Sequence, residues 1–394
     1  MRLPLIATLI LLVFAIAIDY YLWYRIKTTA SRKIWQRVQA VTAIILNLGL
    51  LLVICLPKRR GGDAGLELIM WTLYAYFSVY IPKFLFVVFD LIASLPLLWK
   101  RRRWKWLSLG GIVIGCLVFI LMRWGALINR YSIDVRNVEI EIADLPKSFD
   151  GFTIAQISDM HVGSYGTDTT FVAEVVERVN SLSPDVVAFT GDNVNRRSSE
   201  LRPFGSPLSR LRGCDGVFSI LGNHDYGDYY TWESPEAKAE NMQHLQDMQS
   251  EMGWTMLNNA SAFVYRGNDS IAIIGVENVG DPPFTVYGNL DKAYETLDDP
   301  TVKILLSHNP AHWVEDIKDS PDKNIALTLS GHTHAMQMSA FGVSPAALRY
   351  PTWGGHYADD DGHQLYVNIG IGEVAIPARI GATPEITLIT LRRK

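Results

Sequence analysis

The sequence predicts an α/β protein in two parts, in which about four apolar helices precede a domain of alternating strands, helices and loops. Of the 394 residues, residues 1–130 contain 17 Lys or Arg and 4 Asp or Glu, whereas residues 131–394 contain 19 and 36. The first part is almost continuously apolar, while the second alternates short apolar runs with polar ones. These patterns predict a membrane region over residues 1–130 and a globular domain over residues 131–394.

Four segments of the first part, near residues 3–24, 41–56, 66–99 and 107–122, are apolar enough to cross a bilayer. A spanning helix takes about 20 residues. For the first segment the alternative is a cleaved signal peptide, but no small-residue cleavage site follows it. For the others the alternative is a buried helical core. The third segment is either one helix kinked at Pro82 or two short spans that turn there.

The distribution of basic residues predicts the side of the membrane on which the globular domain lies. Cytoplasmic loops carry an excess of Lys and Arg. Ten basic residues follow the first and third spans, Arg25, Lys27, Arg32, Lys33, Arg37, Lys100, Arg101, Arg102, Arg103 and Lys105, against six on the other side, Arg2, Lys58, Arg59, Arg60, Arg123 and Arg130. We therefore expect a protein of the cell (inner) membrane with an extracytoplasmic domain. A fifth span would reverse this orientation.

The composition of residues 131–394 excludes two classes of protein. A nucleic-acid-binding domain would carry a basic surface, but residues 131–394 have a net charge of −17. A disordered chain would be poor in aromatic and β-branched residues, which occur here throughout. The three cysteines, Cys55, Cys116 and Cys214, form neither a disulfide framework nor a CxxC motif. We expect no nucleic-acid partner, and the sequence does not predict an oligomeric state.

Short apolar runs predict the strands and helices of the globular part. The alternation in residues 138–142 indicates a half-buried strand, and the continuous run 153–158 indicates a buried one. Further strands are predicted at 185–190, 216–221, 271–276, 302–307, 325–330, 365–369 and 385–391, and helices at 171–182 and 237–252. This mixture is typical of an α/β or α+β domain.

Five polar motifs each follow one of these strands. They are Asp159-Met160-His161, Gly191-Asp192-Asn193, Gly222-Asn223-His224-Asp225, Ser307-His308-Asn309 and Gly331-His332-Thr333-His334. Ligand sites of α/β sheets lie beyond the carboxyl ends of the strands. A single histidine after a strand is usually structural, but five such clusters together predict a functional site.

The side chains of these motifs suit divalent metal ions. Seven of them could act as ligands, too many for one ion and suited to two that share a carboxylate: Asp159, His161, Asp192, Asn223, His308, His332 and His334. A mixed nitrogen and oxygen set favours Mn, Fe or Zn over Mg. Two ions about 3.5–4 Å apart lower the pKa of a bridging water and hold phosphate oxygens during in-line displacement. His224 would then protonate or stabilise the leaving oxygen, with Asp225 orienting its ring.

In their order, the five motifs resemble those of the calcineurin-like metallophosphoesterases, over roughly residues 150–390. The resemblance implies a two-sheet β-sandwich flanked by helices, with a dinuclear metal centre. It implies that Asp159, His161, Asp192 and His334 hold the first ion, and that Asp192, Asn223, His308 and His332 hold the second. In this assignment Asp192 bridges the two ions and His224 is the catalytic histidine.

Residues 377–393 and the apolar amino-terminal part look like a membrane-anchored bacterial branch of that family, related to the UDP-2,3-diacylglucosamine pyrophosphohydrolases. Many members of this branch have glycines and a glutamine after the last histidine, whereas this chain has Ala335-Met336-Gln337. The loss of two glycines predicts a less close approach of substrate to that stretch of backbone.

Two aromatic groups follow the histidine motifs. Tyr226, Tyr229, Tyr230 and Trp232 come after His224, and Phe341, Tyr350, Trp353 and Tyr357 come after His334. They could form a small core beneath loops, since aromatic residues dominate cores. They could instead form a wall beside the metals that holds an apolar or nucleobase-bearing leaving group. The second group could also touch the bilayer.

Together these predictions describe a membrane-anchored, dinuclear metal-dependent phosphoesterase. It would hydrolyse phosphodiester or phosphomonoester bonds by a metal-bridged hydroxide, with Mn as the preferred ion. One alternative is a pyrophosphohydrolase of a lipid-linked, UDP-diacylglucosamine-like substrate. The other is a non-enzymatic membrane scaffold that binds metal. The His224-Asp225 pair speaks against the scaffold, because a structural metal site needs no unligated histidine.

Overall fold

The computed structural model describes residues 5–29, 33–56, 62–280, 285–295, 297, 299–319 and 324–394. The chain divides into two compact units, Met1–Ile128 with Ala375–Ala378, and Asn129–Val374 with Arg379–Lys394. The first two residues of the first predicted span lie outside the described residues. So do five of the basic residues that predicted the orientation in the membrane: Arg2, Arg32, Lys58, Arg59 and Arg60.

The first unit contains four long helices among the described residues, which confirms the predicted number of spans. They are α1 (Leu5–Thr29), α2 (Ile34–Cys55), α3 (Asp63–Ser94) and α4 (Lys105–Leu127). All four are long and apolar enough to cross a membrane. The third predicted segment is one helix with Pro82 inside it rather than two short spans. Membrane helices tolerate proline where neighbouring groups satisfy the freed backbone.

Two glycines of α4 allow this helix to approach α3 closely. A Cβ atom at Gly111 would lie 2.6 Å from the Cβ of Phe89, and one at Gly115 would lie 3.1 Å from the carbonyl oxygen of Pro82. Small residues spaced by four are typical of helix pairs that pack backbone to backbone in membranes. A larger side chain at either position would push the two helices apart.

Two acidic side chains inside the spans pair with cations of neighbouring helices. Asp19 Oδ1 of α1 lies 2.8 Å from Lys83 Nζ of α3, and Asp90 Oδ2 of α3 lies 2.8 Å from Arg25 Nε of α1. Pairing reduces the cost of placing charge in a bilayer. Because both pairs join α1 to α3, they also fix how these two helices meet.

The described residues of the second unit form two six-stranded sheets. In the order of the first sheet, its strands are β1 (Asp134–Ile142), β12 (Glu385–Arg393), β2 (Thr153–Ile157), β3 (Val186–Phe189), β4 (Val217–Ser219) and β5 (Thr255–Met256). In the order of the second, they are β10 (Gly355–Ala358), β11 (Gln364–Val367), β9 (Ile325–Ser330), β8 (Lys303–Leu306), β7 (Asp269–Gly275) and β6 (Ala260–Arg266).

The two sheets pack face to face, which confirms the predicted two-sheet sandwich. Ile154 of β2 and Phe218 of β4 belong to the same buried cluster as Ile273 of β7 and Leu329 of β9. Helices cover the outer faces, where the valines of α5 join the apolar cluster of the first sheet. Among the described residues, the α-helices of this unit are α5 (Thr170–Ser181), α6 (Gly205–Leu208), α7 (Pro235–Glu251) and α8 (Leu290–Ala293).

The direction of the strands brings the five polar motifs together. In the first sheet β2, β3 and β4 run parallel, and in the second sheet β7, β8 and β9 run parallel. Parallel strands end at one edge of their sheet. The loops that follow β2, β3, β4, β8 and β9 therefore start from the carboxyl edges of two packed sheets.

Candidate metal centre

Backbone hydrogen bonds join the motif loops to one another. The Asp159 N–H donates to the Gly191 carbonyl at 2.9 Å, and the His161 N–H donates to the Asp192 carbonyl at 3.1 Å. Between the strands of the second sheet, the Gly331 N–H donates to the His308 carbonyl at 2.9 Å. These bonds satisfy buried backbone groups and fix each loop against its neighbour.

Five of the seven candidate ligands have a left-handed backbone. The φ angles are 52° at Asp159, 42° at His161, 60° at Asp192, 71° at His332 and 49° at His334. A non-glycine residue in this region costs about 1–3 kcal/mol, and such residues cluster at functional sites. The fold therefore bears a cost at the motifs that a purely structural turn would avoid by using glycine.

The first ligand group consists of Asp159, His161 and His334, whose ligand atoms all lie within 4.8 Å of one another. His334 Nε2 lies 3.2 Å from Asp159 Oδ1 and 3.1 Å from His161 Nε2. All three side chains are buried. The group comes from the loops after β2 and β9, so it joins the first sheet to the second.

The second ligand group consists of Asp192, His308 and His332, with Asn223 beside it. His308 Nε2 lies 3.2 Å from Asp192 Oδ2, 3.3 Å from His332 Nδ1 and 3.2 Å from Asn223 Oδ1. Like the first group, it combines the two sheets. The structure thus brings together all seven side chains that the sequence singled out.

One atom lies between the two groups. Asp192 Oδ2 is 3.4 Å from His161 Nε2 of the first group and 3.2 Å from His308 Nε2 of the second. The other oxygen, Oδ1, accepts the His224 N–H at 2.8 Å. Ligand atoms about 2.0–2.2 Å from one ion lie roughly 3.0–3.5 Å apart. The nitrogen and oxygen donors and their spacing therefore fit a pair of divalent ions that share Asp192.

The charge of the site also favours cations. Burial opposes ionisation of Asp159, but the histidines beside it hold the pKa of this carboxyl well below its usual range. At His308 burial opposes the charged form, yet the Asp192 carboxylate outweighs it and raises the pKa to about 10. Two buried carboxylates thus require compensating positive charge, which divalent ions provide.

Backbone carbonyls set the proton positions on two of the histidines. His161 Nδ1 donates to the Val194 carbonyl at 3.2 Å, and His308 Nδ1 donates to the Thr190 carbonyl at 2.7 Å. A ring that donates from Nδ1 can offer the lone pair of Nε2 to a metal ion, which would displace any proton held there. In both residues Nε2 is the atom that lies beside Asp192 Oδ2.

His224 and Asp225 behave differently from the prediction. The ring of His224 is held by the Asn195 carbonyl, 2.7 Å from Nδ1, and not by Asp225. Asp225 is fully buried, and its carboxylate accepts backbone N–H groups of Gly222, Asp192, Asn193 and Val194. The expected orienting role of Asp225 is therefore wrong. Asp225 instead holds the loops after β3 and β4 together.

Two family models match the chain. "Probable Calcineurin-like phosphoesterase, transmembrane domain" matches residues 1–130. "Calcineurin-like phosphoesterase" matches residues 152–336, which include all nine candidate site residues. YkuE of Bacillus subtilis, an uncharacterized metallophosphoesterase, is 30% identical over 275 residues, which are 67% of this chain and 87% of that protein. The chain belongs to the calcineurin-like metallophosphoesterases.

Some relatives of this metallophosphoesterase are named as membrane proteins. "Transmembrane protein with metallophosphoesterase domain" of Danio rerio is 31% identical over 265 residues, which are 66% of this chain and 57% of that protein. This chain thus spans little more than half the length of that relative. Among solved structures, phosphopantetheinyl hydrolase of Mycobacterium tuberculosis is 16% identical with a TM-score of 0.34, and the match covers 57% of this chain and 90% of that one.

Two tyrosines of the phosphoesterase contact the second ligand group, one from each aromatic group of the sequence. Tyr229 accepts a hydrogen bond from Asn223 Nδ2 at 2.9 Å and stacks on the His224 ring at 4.1 Å. The Tyr350 hydroxyl lies 2.9 Å from His332 Nε2. Both contacts turn the opposite atom, Asn223 Oδ1 or His332 Nδ1, toward His308. Tyr226, which is buried, stacks on Tyr287 instead.

Arg379 is a further residue that the sequence did not single out. Its guanidinium is fully buried and lies 3.3 Å from His334 Nδ1. It also donates to the carbonyls of Ile369 and Ala382, each at 3.1 Å. A buried cation behind a candidate ligand fixes the ring of that ligand. The only sequence signal is its place in the segment 377–393 that carries the family resemblance.

The segment after His334 explains why glycines suit this position. Ala335, Met336 and Gln337 have φ angles of 51°, 46° and 58°. Glycine adopts this region without cost, whereas other residues do so rarely. The chain thus keeps the left-handed backbone while adding side chains, and that of Met336 is exposed.

Proposed function

We propose that this protein is a membrane-bound hydrolase of phosphoesters whose centre holds two divalent ions, with Mn as the preferred metal. The observation that carries the proposal is the position of Asp192 Oδ2 between the two candidate ligand groups. Two ions that share a carboxylate lower the pKa of water between them and clamp phosphate oxygens during in-line displacement.

His224 is the residue that would act on the leaving oxygen. Its Nδ1 proton is bound to the Asn195 carbonyl, and Tyr229 stacks on its ring, so the ring is held and Nε2 is left for substrate. Burial lowers the pKa of His224 to about 4. The negative charge of a bound phosphoester favours the imidazolium form. A proton carried on Nε2 would then pass to the leaving oxygen as the phosphorus–oxygen bond breaks.

The proposed location is the extracytoplasmic face of the cell membrane. This rests on the excess of basic residues after α1 and between α3 and α4. A reporter that is active only in the cytoplasm, fused after Lys394, should be silent. An active fusion would reverse the orientation without changing the chemistry.

The experiment that tests the function uses the full chain purified in detergent. We expect Mn²⁺-dependent hydrolysis of bis(p-nitrophenyl) phosphate or of p-nitrophenyl phosphate, with two ions per chain. Asp192→Asn should lower the rate by about 10³-fold or more, because a metal ion stabilises transition-state charge by several kcal/mol. Glu240→Gln, at an exposed acidic residue of α7, is the matched control.

Two results would contradict the proposal. Turnover that survives both chelation and Asp192→Asn would exclude metal-dependent hydrolysis. Two bound ions without turnover of either ester would instead favour the metal-binding scaffold or a strict requirement for a lipid-linked pyrophosphate. A lipid-linked substrate is favoured by the exposed apolar side chains of Phe341, Val343 and Leu348, which follow the last candidate ligand.

A further inference from the structure

The segment between the last candidate ligand and Tyr350 exposes large apolar side chains. We call residues 336–350 the apical loop. Phe341 is 105% exposed, Leu348 93%, Val343 66% and Met336 45%. Soluble surfaces rarely present such side chains together unless they meet another apolar surface.

Hydrogen bonds hold the backbone of the apical loop in a defined conformation. Ala340 and Val343 exchange backbone hydrogen bonds of 2.9 and 3.0 Å across a two-residue turn. The Ser344 hydroxyl donates to the Ala335 carbonyl at 2.6 Å, and the Ser339 N–H donates to the Ile380 carbonyl at 2.9 Å. The domain therefore holds the tip of this loop in one conformation.

Phe341 stands at the tip of that turn at a conformational cost. Its φ is 53° and that of Gly342 is 76°, the pattern of a type I′ turn. This turn prefers Asn or Asp at the first position, and a bulky residue with positive φ is an outlier. Packing of the ring against the described residues of the domain does not offset this cost, since the ring is fully exposed. The benefit must come from what the ring meets outside the domain.

We propose that the apical loop inserts into the surface of a bilayer that contains anionic lipids. The domain begins at Asn129, two residues after α4 ends at Leu127, so a membrane is always within reach of it. Residues 323–358 contain no Asp or Glu, although the domain as a whole has a net charge of −17. The loop also carries Arg349, which suits anionic headgroups.

Insertion would bring the metal centre to the lipid headgroups. Tyr350 ends the apical loop, and its hydroxyl lies 2.9 Å from His332 Nε2. Arg349 packs over the Tyr350 ring at 5.5 Å. The part of this inference that concerns the substrate rests on the proposed function. It adds that the phosphoester is presented to the enzyme at the surface of a bilayer.

The test measures insertion and hydrolysis separately, with the full chain in nanodiscs that contain about a third phosphatidylglycerol. Nitroxide labels are placed at Phe341→Cys and Leu348→Cys after the three native cysteines are replaced by serine. Tyr265→Cys, at an exposed aromatic residue of β6, is the matched control. Labels at 341 and 348 should be relaxed by oxygen, which dissolves in lipid, and the label at 265 by a water-soluble nickel chelate.

Two outcomes would overturn the inference. One is relaxation by the nickel chelate at 341 and 348 as strong as at 265, which means that the loop lies in water. The other is protection from both reagents, which means that protein, such as a second copy of the chain, covers it. Neither depends on turnover, so both are distinguishable from failure of the proposed function.

Hydrolysis supplies the second arm. The substrates are a diacylglycerol p-nitrophenyl phosphodiester in the nanodisc and bis(p-nitrophenyl) phosphate in solution, which share a leaving group. Phe341→Ser with Leu348→Ser should lower the ratio of lipid to soluble turnover by about tenfold, because membrane binding scales with buried apolar area. Tyr265→Ser should leave the ratio unchanged. An unchanged ratio in the double variant would contradict the proposed role in substrate access.

Discussion

The two ligand groups of the metal centre differ in how they are enclosed. In the first group Asp159, His161 and His334 are all buried, and a buried arginine stands behind His334. In the second group Asn223 and His332 are partly exposed and are oriented by tyrosine hydroxyls. Closed sites are typical of permanently held metals, whereas catalytic sites keep an open position. The difference indicates that substrate arrives on the side of the second group.

We expect the largest effect from a variant that loses a ligand of the first group. Asp159→Asn removes the only carboxylate that the first group does not share with the second. We expect one bound ion per chain and a loss of activity of about 10³-fold, where each tenfold change in rate corresponds to about 1.4 kcal/mol of activation free energy. Metal content and initial rates with Mn²⁺ measure this. Glu240→Gln serves again as the control. Two retained ions in the variant would break the assignment of Asp159.

Chelation should separate the groups by affinity. Because the second group is the more open, we expect a chelator titration to remove its ion first, and activity to be lost while one ion per chain remains. Inductively coupled plasma analysis of samples along the titration, paired with rates, measures the order. Simultaneous loss of both ions at every chelator concentration would show that the two ligand groups do not differ in affinity.

The smallest effect concerns the tyrosine hydroxyls. Tyr350→Phe and Tyr229→Phe keep the rings but lose the hydrogen bonds to His332 and Asn223, and residues that orient ligands typically change metal affinity or activity by about 10–100-fold. We expect the lower end, about tenfold, confined to the ion that the titration removes first. A matched change at Tyr287→Phe, which stacks on Tyr226 away from the ligands, should have no such effect. Equal weakening of both ions would mean that the tyrosines act on the whole fold.

Much of this architecture could be predicted because its signals are local. Apolar runs predicted the four spans and nine of the strands, and each candidate ligand lies within a few residues of such a strand. Three strands were not predicted. β5 has only two residues, β10 begins with glycine, and β6 exposes Phe263 and Tyr265 at the edge of its sheet. None of the three presents the continuous apolar run of a buried strand.

What the sequence did not predict depends on contacts between distant segments. Asp225 follows His224 directly, which suggested that the two pair, but its partners are N–H groups of residues 192–194 and 222. Arg379 meets His334 across 45 residues, and Tyr350 meets His332 across 18. No periodicity or motif encodes these meetings, because they follow from the way the loops cross the end of the sandwich.

The position of β12 has a consequence for the order of biosynthesis. This strand lies between β1 and β2, parallel to the first and antiparallel to the second, although more than 200 residues separate it from both. During translation the helices of the first unit emerge from the ribosome before the second unit. The first sheet lacks the strand between β1 and β2 until residue 393 has emerged. Both ligand groups draw on that sheet. Metal capture should therefore wait until β12 has emerged and paired with β1 and β2, after the helices of the first unit have entered the bilayer.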